Sequence, residues 1–203
     1  MKIDWNFPEP RLGIKGGIDK FCGPGATRLE MILQSVVPIF AGFVAAYYGY
    51  LGEFGWSVTQ YLVCFVIGFD IMGGIITNST SSGKRWYHRA GQGFTEHMSF
   101  ILLHFVQITM IACLYMDFNI LWIFTVGGYL VVASIVIQII PLYLQRPVAL
   151  TLYSIAIILS IYLLETPVGL EWFLPLFYLK LLVSHILREE PYRPDNEIKR
   201  DNS

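Results

Sequence analysis

The chain is 203 residues long, 55% of them hydrophobic and 14% charged, with a formal net charge of −1. A soluble domain carries about a quarter charged residues, and a near-neutral chain offers no electrostatic basis for binding nucleic acid. Cys22, Cys64 and Cys113 stand apart with no CxxC pair, which argues against a disulfide framework and against a cysteine-based zinc site.

Residues 1–28 form a polar, glycine-rich arm with no leader-like apolar core, so the first apolar run is expected to persist as a membrane span. From there the apolar residues come in long runs, and runs of about 20 are the signature of bilayer crossing. Six spans are predicted: Leu29 to Leu51, Trp56 to Thr77, Phe94 to Met116, Phe118 to Ile140, Pro147 to Leu164 and Pro167 to Leu187. The fold class is therefore an all-α, polytopic membrane bundle occupying residues 29–188, with a flexible tail over 189–203. Pro147 and Pro167 fall at expected first-turn positions, where a missing N–H costs nothing. Pro38 and Pro175 fall inside spans and should kink them. Short connections require antiparallel neighbours.

The basic residues give a direction. Lys and Arg outside the spans occur in the arm, in the loop after span two (Lys84, Arg85, Arg89), in the loop after span four (Arg146) and in the tail. The other loops carry Glu53, Asp117, Glu165 and Glu171 instead. The positive-inside rule then puts both ends in the cytosol.

Ionisable residues inside a bilayer are costly and mark functional positions. Counting about 1.5 Å per residue from the cytosolic end of each span places Asp70 roughly 10 Å deep, Lys180 roughly 12 Å and His104 roughly 15 Å. Three spans thus bring three charge-bearing groups to nearly one level. A shallower tier holds Gln34, Asn78, Glu96 and His97, while His88 and His185 read as interfacial residues. On span two, Asp70, Gly73, Gly74 and Thr77 share a helical face, and the glycines leave a groove for a helix or a ligand. On span three, His97, Phe100, His104, Gln107 and Ile111 share a face.

The stretch from Asn78 to Gly93 is dense in hydroxyls, cations and aromatics. Lys84, Arg85 and Arg89 would suit an anion clamp, or would only attract anionic lipid and set topology. Gly83-Lys84 is not a P-loop, because Arg85 stands where Ser or Thr is required.

This chemistry points to an integral membrane enzyme with a cytosol-facing polar site, acting by acid–base catalysis on an amphipathic, lipid-like or isoprenoid substrate. Asp70, His104, His97 and Glu96 are the candidate catalytic residues. Asn78, Lys84, Arg85, Arg89, Lys180 and Gln34 are the candidate substrate contacts. The bilayer itself is the expected partner. No cofactor is expected: His97 and His104 are seven apart, not four, so a metal would need ligands from several spans, such as Asp70, His104 and His185. The competing readings are a proton-coupled transporter, a non-catalytic membrane subunit and, at the deep tier, a structural Asp70–Lys180 ion pair.

Overall fold

Polar side chains punctuate the apolar runs and start the helices, by taking up amides that have no partner inside the helix. A computed structural model of the chain describes residues 1–194. After a short strand β1 (Lys2–Ile3) and an amphipathic helix α1 (Gly13–Cys22), Thr27 and Glu30 form a reciprocal capping box that opens α2 (Arg28–Leu51). Ser57 and Gln60 repeat that box at the start of α3 (Val58–Ser79). Thr80 Oγ1 accepts from Gly83 N at 3.1 Å and opens the short α4 (Ser81–Tyr87). The Glu96 carboxylate takes up the Gly93 amide at 2.9 Å and starts α5 (Phe94–Leu103).

The third span does not run straight through. His104 sits between α5 and α6 (Phe105–Tyr115), and its amide bonds Ile101 O at 3.1 Å in a tightened turn. Asn119 caps α7 (Ile120–Ile139), and Pro141 precedes α8 (Leu142–Tyr162). The fifth span thus starts more than a turn before the expected Pro147. Pro147 lies inside it, and Arg146 is a helical residue rather than a loop residue. Pro141 sets this boundary because its fixed φ suits the entry to a helix.

The sixth segment departs furthest from expectation. Pro167 begins a turn, with Leu170 N bonding its carbonyl, and the helix starts only at Phe173. α9 (Phe173–Tyr178) runs directly into a π-helical segment, Leu179–His185. Pro175 falls in the first turn of α9, where no N–H is missed, so it does not kink a span. Together the two pieces extend roughly 20 Å, less than the ~30 Å hydrocarbon core. Among the described residues five helical spans are long and apolar enough to cross a membrane, and this sixth helix is not. It is instead the centre of the bundle, packed against α3, α7 and α8, with Phe173, Phe177, Tyr178 and Leu181 fully buried. Turn and extended residues lead into it from Leu163. Non-helical backbone of this kind is tolerated at membrane depth only where protein covers it.

The core clusters around that central helix and includes Ile67, Ile101, Ile108, Leu130 and Ile137. The outer faces of the long helices expose large apolar groups such as Phe40, Phe43, Leu121, Phe124 and Ile161, as a lipid-facing surface should. The start of the chain and its last described residues meet at the same end of the bundle. β1 pairs antiparallel with β2 (Tyr192–Arg193), Asp4 N bonds Pro191 O at 3.0 Å, and Arg193 reaches Asp4 at 3.2 Å. The rest of the expected tail lies outside the described residues.

Candidate intramembrane site

Asp70, Gly74 and Asn78 recur every four residues along α3, so they form one stripe. The central π-helical segment lies against that stripe. A π ring closes over five residues, so Lys180 and His185 face the same way, whereas in an α-helix they would diverge by about 140°. Lys180 meets the upper part of the stripe and His185 the lower.

At the Lys180 end, Nζ lies 2.5 Å from Asp70 Oδ2. The ammonium side chain is 2% exposed and the carboxylate 43%. Gln107 of α6 donates through Nε2 to the same Asp70 oxygen. Asp70 Oδ1 and the buried Gln107 Oε1 have no protein partner. Residue 74 must be glycine for this contact, since a Cβ there would lie 2.2 Å from Lys180 Cε and 2.8 Å from Cδ. Gly74 therefore admits the lysine stem. Gly73 faces Pro38 of α2 instead, at 3.5 Å, and Thr77 bonds Gln34 across the same helix pair at 3.0 Å.

His104 stands across from this pair. Its Nδ1 lies 2.7 Å from Phe100 O. A carbonyl only accepts, so Nδ1 carries a proton, and in the neutral ring Nε2 holds the lone pair. A cavity of about 380 Å³ joins the two, lined among others by Asp70, Lys180, Gln107, His104, Asn78 and Thr77. Phe21 and Tyr87 close it on the arm side, and Leu103 and Val106, both exposed, form its outer rim.

At the His185 end lies a second cluster. Asn78 Nδ2 donates to Gly74 O at 2.8 Å, which turns Oδ1 toward His185. His185 Nδ1–H donates to that oxygen at 3.1 Å, and His97 Nδ1–H donates to His185 Nε2 at 3.1 Å. His88 Nε2–H donates to His185 O at 3.0 Å, and its ring lies 4.8 Å from that of His97. The His97 and His185 rings are thus hydrogen-bonded to each other, and the His88 ring is bonded to the His185 backbone. His185 is buried rather than interfacial, and His88 packs on its backbone. Burial and the nearby Lys84 and His97 push His88 down to about 3. Among the described residues no group of three or more His, Cys, Asp or Glu is arranged to hold a metal ion.

The remaining candidates lie elsewhere. Lys84 Nζ donates to the Ser184 and Leu187 carbonyls at 2.7 and 2.6 Å, and so caps the end of the central helix. Burial lowers its pKa to about 8 against the opposing pull of Glu189 at 3.7 Å. Arg85 is buried and donates to Gly25 O at 3.3 Å. Arg89 lies 3.7 Å over the Trp86 ring and bonds the Trp86 carbonyl. None of these three cations lines the cavity. Glu96 is exposed and caps α5, and Gln34 is tied to Thr77.

Gln107, Phe21 and Tyr87 are site residues that the sequence reading did not single out. Gln107 carried a signal, its place on the His104 face of span three. Phe21 and Tyr87 carried none, because they reach the cavity through the fold of the arm.

Five long apolar helices around a buried polar centre define a multi-pass membrane helical bundle. The chain matches no family model, no curated protein sequence and no solved structure.

Proposed function

We propose that the protein is a membrane-embedded acid–base catalyst for an amphipathic substrate, whose polar end enters the cavity while a lipid-like or isoprenoid tail stays in the bilayer. One observation carries this: the cavity joins His104, the Asp70–Lys180 pair and the unpaired Gln107 oxygen to an exposed apolar rim at Leu103 and Val106. His104 Nε2 is the acid–base atom, positioned by the Phe100 carbonyl behind it. Gln107 Oε1 and Asn78 orient the polar end, and a substrate hydroxyl or amide would satisfy that buried oxygen. The Asp70–Lys180 pair supplies fixed charge beside the reacting group. Lys84, Arg85 and Arg89 take no part. The basic residues of the arm, of α4 and of the following loop support a cytosol-facing cavity mouth.

The test is turnover of membrane lipids. Wild type and His104→Gln are placed in nanodiscs made from a total lipid extract, and the lipids are profiled by mass spectrometry. Wild type should deplete a lipid class that the variant leaves intact at unchanged melting temperature. Equal profiles would overturn the assignment.

A further inference from the structure

Helix α1 presents an apolar stripe that no other described residue covers. Ile14, Ile18 and Phe21 are spaced four and three apart, so they share one face. Leu12 is 93% and Ile14 87% exposed, and Ile18 and Phe21 are exposed as well. Lys15 borders the stripe, and Lys20 and Asp19 lie toward the opposite side, where Asp19 is held by Arg11 at 2.7 Å.

The helix is not free to drift. Tyr87 Oη donates to Phe21 O at 2.8 Å, and Ser82 Oγ donates to Cys22 O at 3.0 Å. Gly23, at φ +86°, brings the chain so close to α4 that a Cβ would lie 2.2 Å from Ser82 O. These ties fix the C-terminal end of α1 at the mouth of the cavity, where Phe21 shares the lining with exposed Leu103 and Val106. The apolar stripe is therefore continuous with the lipid-facing rim of the bundle.

We infer that α1 lies in the plane of the membrane interface, with Ile14, Ile18 and Phe21 sunk among acyl chains and Lys15 and Lys20 at anionic headgroups, forming the outer lip of the lateral entrance to the cavity. An amphipathic helix with lysines outside its apolar stripe has the chemistry of an interfacial segment. Its service as an entrance rests on the substrate proposed above, whereas its position in the membrane does not.

The experiment reads position alone and needs no activity. Spin labels are placed singly at Ile14→Cys, Ile18→Cys and Lys15→Cys in full-length protein whose native cysteines are replaced, in nanodiscs of phosphatidylcholine and phosphatidylglycerol. Labels at 14 and 18 should be reached by oxygen and shielded from a water-soluble nickel chelate, and the label at 15 should show the reverse. Equal nickel access at all three sites would put α1 in water and overturn the inference. Shielding of 14 and 18 from both reagents would show that protein, such as a second copy, covers the stripe, and would overturn it too.

Discussion

Lys180 reaches Asp70 because residue 74 has no side chain. Gly74→Ala would drive a methyl into the lysine stem, whose Cδ and Cε are both too close to yield without moving Nζ. Overpacking of this kind costs about 1–3 kcal/mol, so the variant should melt at lower temperature in detergent. The pair it serves can be tested directly. Asp70→Asn leaves a buried ammonium, a loss of about 3–5 kcal/mol for a wholly buried pair. The observed loss should be smaller, because the carboxylate is 43% exposed and partly screened. Adding Lys180→Met should recover the melting temperature. If that double variant also keeps lipid turnover, the pair is a brace and not part of the chemistry.

At the scale of elements, α4 is held to the central helix by Lys84 and His88, and both pay for burial. The folded value for His88, about 3, lies below its usual 6.5, so the unfolded chain binds more protons between those values. Stability from this residue is complete above pH 6.5 and is lost as pH falls toward 3. Lys84 does not titrate there, since its value of about 8 keeps it protonated in both states. The cations near His88, Lys84 and Arg188, give it no counter-charge. Melting temperature should therefore drop between pH 7 and pH 5, and drop less in His88→Gln. The long spans were legible in the sequence because capping residues and apolar runs mark their ends. The last was not: the run over residues 167–187 shows composition, and composition does not distinguish a spanning helix from a shorter one buried on all sides. Counting depth placed Asp70, His104 and Lys180 at one level, and one cavity touches all three. The π segment that turns His185 onto the Lys180 face left no trace in the residue pattern. Nor did the pattern reveal that the cations of α4 and the loop after it point at carbonyls rather than at open space.

For the whole molecule, the pairing of β1 with β2 puts the start of the chain and its last described residues at one end of the bundle, where the basic residues also gather. The far end carries Glu53 and the turn around Gly169, which packs on Phe54 and Trp56. Topology can be read by labelling intact cells with a membrane-impermeant thiol reagent. A cysteine placed at Glu53 or Val168 should react, and one at Gly91 should not, all three positions being exposed in the fold. Reaction at Gly91 alone would invert the bundle and move the cavity mouth to the other face of the membrane.

The clasp between the two ends also sets an order of events during synthesis. Asp4 must wait for Arg193, 189 residues later, before it finds its partner. Contacts so distant along the chain close late, because the intervening loop entropy is repaid only once the helices between have assembled. The first strand is therefore the last part of the arm to settle, after α1 has already docked on α4. A chain stopped before Tyr192 would have its spans formed and α1 tied to α4 through Ser82 and Tyr87, but would leave β1 and Asp4 without their partners.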